Sequence, residues 1–178
     1  MNPRARLTGT KREARGTQVA ELAIVMPLLL FLSLAVSEGA YMIRVHQVLN
    51  NAAREGARLA VEEQNYDPVN PLTDCTAPKG SKQTTLCQAI ISYAQNNGIS
   101  AGSGFNRCNG AAGTSGLNIT VNQNYLIPGT GGGLNLPGTQ VQVQCPYNLA
   151  FLPRIPSFGV TGTVTLRGNA VFRDFFGF

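Results

Sequence analysis

Arg15-Gly16-Thr17-Gln18-Val19-Ala20-Glu21-Leu22-Ala23-Ile24-Val25-Met26-Pro27-Leu28-Leu29-Leu30 opens the stretch that decides how this 178-residue chain is organised. From Val19 to Ala40 the residues are dominated by Val, Ala, Leu, Ile, Met and Phe, with Glu21 and Glu38 as the only charges. As a helix, Leu22 to Ile43 spans roughly 33 Å, against about 30 Å of bilayer hydrocarbon. The charge-free part, Leu22 to Ser37, reaches only about 24 Å. Glu38 is therefore expected at a membrane face or in a protein contact. Tyr41 and Arg44 follow, as residues at an interface do.

On the N-terminal side the charge is concentrated. Arg4, Arg6, Lys11, Arg12 and Arg15 against Glu13 leave +4 in the first 16 residues, out of +5 for the whole chain. The remainder carries nine basic and eight acidic residues and is close to neutral. Basic residues before a span stay on the cytoplasmic side, so residues after about 44 are expected to be exported. Nucleic-acid binding would need a basic face with stacking aromatics, and the sequence shows neither; no nucleic-acid partner is expected.

The junction itself admits three readings. An ordinary secretory signal would be cut at Ala35-Val36-Ser37, leaving a soluble domain that starts near Glu38. An uncleaved signal anchor would simply hold the chain. The third reading uses Gly16, which sits between the basic and apolar residues with Glu21 five positions later. That pattern resembles the type IV prepilin cleavage site, at which a membrane-embedded aspartyl peptidase cuts after the Gly and leaves the apolar helix in place. Gly offers an unhindered backbone to a protease. An acid at the centre of a membrane helix costs about 2.5–3.5 kcal/mol, so Glu21 calls for a positive partner. The new amino group of Thr17, or that of a neighbouring subunit, would supply it, and a helix N-terminus favours an acid as well.

The resemblance extends further. Glu21-Leu22-Ala23-Ile24-Val25-Met26-Pro27-Leu28-Leu29-Leu30, Glu38-Gly39 and Asn51-Ala52-Ala53-Arg54-Glu55-Gly56-Ala57-Arg58 resemble the TadE-like family of pseudopilins, which belongs to tight-adherence (Flp) pilus assembly systems. The likeness covers about residues 15 to 62. It implies processing by a prepilin peptidase at Gly16, Thr17 and Glu21, residence in the inner membrane, and a minor-pilin or assembly role beside other pilins and the assembly platform. It implies no catalytic residues.

From Val45 the pattern becomes amphipathic, with Val45, Val48, Leu49, Ala52, Gly56, Leu59 and Ala60 at three- and four-residue steps. One helix of about residues 17 to 64 is expected, half in lipid and half outside it. Pro27 is read as a kink that membrane helices tolerate, with a hinge as the other reading. Ala52, Gly56 and Ala60 form a row of small residues that allows close helix approach, either on the protein's own domain or on another subunit. His46 has no partners at metal spacing and reads as a surface residue.

Asp67, Pro68, Pro71 and Pro78 mark a loop. Cys75, Cys87, Cys108 and Cys145 all follow the span, in the compartment where disulfides form. Of the three possible connectivities, Cys75–Cys87 with Cys108–Cys145 is preferred. Zinc and redox roles are not expected, because no C-x2-C pair is present. Leu86 to Asn97 reads as a short helix stopped at Asn96-Asn97-Gly98. Leu117–Asn122 and Gln140–Cys145 alternate as strands, and Val160 to Phe172 offers a third. The Gly-rich Pro128–Gly133 stretch lacks the Lys-Ser/Thr of a phosphate loop and reads as a hairpin connection. Asn148 to Gly159 is read as cover for the sheet or as a membrane or partner contact. Phe172, Phe175, Phe176 and Phe178 give the chain end an aromatic character, read as a partner contact or as sheet packing.

The expected architecture is α+β: a basic leader (1–16), a membrane-spanning and then amphipathic helix (17–64), and a periplasmic head (65–178). The head should hold about three antiparallel strands and one short helix. The head has no His, and Asp67, Asp74 and Asp174 are too scattered for a catalytic set. Neither an enzyme, a cofactor, a metal nor a small-molecule substrate is expected.

Overall fold

A computed structural model describes residues 10–62, 73, 75–76, 81–102, 107–110, 114–129, 135–149 and 162–173, with backbone alone at 10–17 and 81–83. The chain forms two compact units, Met1–Ser37 and Glu38–Phe178. The expected Pro-rich loop, most of the Gly-rich connection, nearly all of Asn148–Gly159 and the last three Phe residues lie outside the described residues.

Helix α1 runs Thr10–Ala60 with Pro27 inside it. Its start lies earlier than expected, because Lys, Arg, Glu and Ala between Thr10 and Arg15 are good helix formers and a lone Gly costs only about 1 kcal/mol. In the first unit its large apolar residues from Val19 to Val36 are exposed on every side of the helix, with Leu34 alone among them half-buried. Two hydroxyls in this part are satisfied locally: Ser33 Oγ donates to the Leu30 carbonyl (2.8 Å) and Ser37 Oγ to that of Ser33 (2.8 Å). Such back-bonding lets a hydroxyl sit where no water reaches.

In the second unit the same helix is buried along one stripe: Glu38, Val45, Leu49, Ala52, Ala53, Gly56, Ala57 and Ala60. The spacing is that of one helical face. Val48 and Leu59, expected in the stripe, are partly buried at its border. Helix α2, Ser81–Asn96, starts five residues earlier than the sequence pattern suggests. It ends at Gly98, whose φ is +86°. There Ile99 N donates to Ala94 O (3.0 Å) and Gly98 N to Gln95 O (2.9 Å), the paired bonds of a Schellman stop.

Among the described residues the sheet has five strands: β1 (Ser100–Ala101), β2 (Arg107–Cys108), β3 (Asn118–Ile127), β4 (Leu136–Asn148) and β5 (Thr163–Arg173). Strand β4 is central. Antiparallel β5 follows one edge from Gly138 to Asn148, while β3 pairs with Leu136 to Gln144 on the other edge and β2 meets it at Tyr147. The three long strands are the antiparallel meander expected. The additions are β1 and β2, a parallel pair of two residues each, too short to show any alternation. Burial alternates along β3 and β4, with Ile119, Val121, Gln123, Thr139, Val141, Val143, Cys145 and Tyr147 facing in. Antiparallel sheets with one packed and one solvated face have this pattern. Outside β3, Val121 N donates to Thr73 O (3.0 Å) and Cys75 N to Ile119 O (3.3 Å), so part of that edge is already paired.

Candidate functional site

The chemistry-bearing residues fall into three groups. The first is the proposed processing segment. Gly16 and Thr17 lie inside α1, near its start, and Glu21 is exposed. The extended backbone that Gly16 was expected to supply is absent here, because the helix already runs from Thr10. A peptidase acting at that bond would first have to unwind the opening turns.

The second group is the row of small residues. Ala52, Gly56 and Ala60 are buried. A Cβ built on Gly56 would meet Ile90 Cδ1 at 2.6 Å and Val141 Cγ1 at 3.4 Å. At Gly56 the row packs on α2 and β4 of its own domain, the first of the two expected readings, with Ile90 in the space that Gly56 leaves open.

Cysteines make the third group. Cys75 joins Cys87 and Cys108 joins Cys145, at sequence separations of 12 and 37. No cysteine is left free. The first bridge ties the segment paired to β3 onto α2. The second ties β2 to the central strand.

One cluster was not read from the sequence as a unit. Glu38 and Tyr147 are both fully buried, at 0% exposure. Glu38 was expected at a membrane face or in a protein contact, and it lies in a protein contact. Burial raises the Tyr147 phenol above its usual range, and the nearby Glu38 and Tyr41 add to the rise. The Tyr147 hydroxyl has no hydrogen-bond partner among the described residues, a rare condition for a buried polar atom. The sequence carried part of the signal, an acid at the end of an apolar run, but nothing there pairs it with Tyr147. His46 is exposed, with Nε2 3.0 Å from Asn50 Nδ2.

An apolar N-terminal helix and a disulfide-bridged α+β unit define the class: a protein in which, among the described residues, one helix is long and apolar enough to cross a membrane. Within that class, a family model described as TadE-like protein matches residues 16–58. The TadE-like segment thus begins at Gly16 and ends within α1. No curated protein matches the chain, and no solved structure does.

Proposed function

We propose that this chain is a TadE-like pseudopilin that takes part in assembling a tight-adherence (Flp type IVb) pilus or a related secretion apparatus. The observation that carries the reading is the TadE-like match over 16–58 on a helix whose N-terminal half exposes apolar side chains all round. Such a surface is stable only in lipid or against other apolar helices. In this reading the basic leader stays cytoplasmic, a prepilin peptidase cuts between Gly16 and Thr17, and the helix remains in the inner membrane. The head then lies in the periplasm, where its two bridges form. The partners are other pilins or pseudopilins and the assembly platform, and the role is structural rather than catalytic.

A second reading has one observation in its favour. The second compact unit begins at Glu38, so an ordinary signal peptidase acting after Ser37 would release it intact. The family match argues for the first reading, because it runs across that bond. Mass spectrometry of the protein from native membranes distinguishes them. A mature start at Thr17 is the expected result. A start near Glu38 would sink the pseudopilin reading and leave a soluble domain, and an intact Met1 would leave a plain signal-anchored protein.

A further inference from the structure

The near-neutral balance of residues 17–178 hides a separation. Between Cys75 and Arg173 there is no Asp or Glu, while Lys79, Lys82, Arg107, Arg154, Arg167 and Arg173 are all present. Part of this surplus falls on the solvated face of the sheet. The register places Thr120, Gln142 and Asn169 in one row, Asn118, Gln144 and Arg167 in the next, and Asn122, Gln140 and Val171 on the other side. The β3 and β5 members of these rows are exposed and the β4 glutamines half-buried. Arg173 stands in the row of Gly138 and Tyr125, so the two guanidiniums lie six residues apart along β5, roughly 20 Å at strand rise. The centre of this face is thus a field of amides with Thr120 among them and Val171 beside them, with an arginine toward either end and no carboxylate among the described residues.

Each Asn or Gln offers a carbonyl acceptor beside an amide donor, which matches neighbouring hydroxyls on a sugar. Arginine adds bidentate capture of carboxylate or phosphate. A protein partner would call for an apolar, aromatic centre, but here the centre is amide. Single-stranded nucleic acid would call for successive stacking aromatics, but this face holds Tyr125 at one end. We propose that the outer face of the β3–β4–β5 sheet is a binding surface for an acidic polysaccharide, with Gln140, Gln142 and Asn169 reading hydroxyls and Arg167 and Arg173 holding the acid groups. The reading is independent of pilus assembly and applies equally to a released head.

The test uses the full chain in non-ionic detergent, with polygalacturonate as probe in affinity electrophoresis. Neutral dextran, poly-glutamate and oligo-dT are run in parallel. Binding to polygalacturonate, stronger than to any of the three controls, is expected. Arg167→Ala with Arg173→Ala should weaken it by about tenfold or more, as loss of charge-assisted bonds does. Gln140→Ser with Gln142→Ser should weaken it severalfold at unchanged net charge. These side chains lie on the solvated face, and an unchanged thermal melt confirms that each variant folds. Equal retention by poly-glutamate or oligo-dT would overturn the proposal in favour of a plain cationic patch. So would no retention by polygalacturonate, or glutamine variants that bind like the parent.

Discussion

Gly168 is where β5 lets the backbone of α1 come close: a Cβ built there would stand 2.4 Å from the carbonyl carbon and oxygen of Leu49. The obstacle is backbone and cannot rotate aside. Gly168→Ala is therefore expected to destabilise the head by about 1–3 kcal/mol, the usual cost of overpacking, seen as a lower denaturant midpoint. Gly39 is the opposite case, with nothing within 4 Å of its built Cβ. There Gly39→Ala should leave stability unchanged or raise it by up to about 1 kcal/mol, because alanine is the better helix former. At Tyr147 the ring is needed and the hydroxyl is not. Its raised pKa means that the neutral phenol is favoured in the fold. The associated stability is fully present below the unfolded value of about 10 and is lost as pH rises through the folded value. Tyr147→Phe should thus match or exceed the parent's stability at neutral pH, since an unsatisfied hydroxyl costs about 1–3 kcal/mol. It should also hold its melting temperature better above about pH 10; a variant that lost stability at pH 7 would show that the hydroxyl has a partner after all.

Among the elements, the two bridges constrain very different lengths of chain. In the loop-entropy account, closing 12 residues is worth about 3 kcal/mol and closing 37 about 4 kcal/mol. Replacing Cys108 and Cys145 by Ala should therefore lower unfolding free energy by about 1 kcal/mol more than replacing Cys75 and Cys87, as chemical denaturation would measure. The elements also divide by how they could be read in advance. The long strands announced themselves through Ile119-Thr120-Val121 and Val141-Gln142-Val143, where a period of two survives because one face is buried. The stripe of α1 was legible from Val45 onward for the same reason at helical period. Strands β1 and β2 left no trace, because pairs of two residues have no period and exist only through their neighbours. What covers Gly56 was equally hidden: spacing shows that a stripe wants cover but not that Ile90 supplies it. Summing charge over residues 17–178 concealed the acid-free sheet, since the acids fall at or before Asp74 in the sequence, apart from Asp174.

For the whole molecule, the boundary at Ser37 and Glu38 has a practical meaning. The second unit takes its core helix from the same element that supplies the apolar segment. A fragment of residues 38–178, sent to an oxidising compartment, should fold without detergent and melt cooperatively. A fragment beginning at residue 61 should not, because it removes Val45, Leu49, Ala52, Ala53, Ala57 and Ala60 from the core. A cooperative melt from the shorter fragment would show that the helix decorates the head rather than completing it.

The contact of Gly168 with Leu49 also sets a timetable. Residues far apart in sequence must meet before the core closes, and such contacts form slowly. In N- to C-terminal order the Leu49 region is made well before Gly168. Through that interval the small-residue stripe waits uncovered, exposed to the wrong associations that threaten any half-made chain. Closure of this core is therefore a wait for β5, and the interval before that strand docks is when the stripe is most open to misassociation.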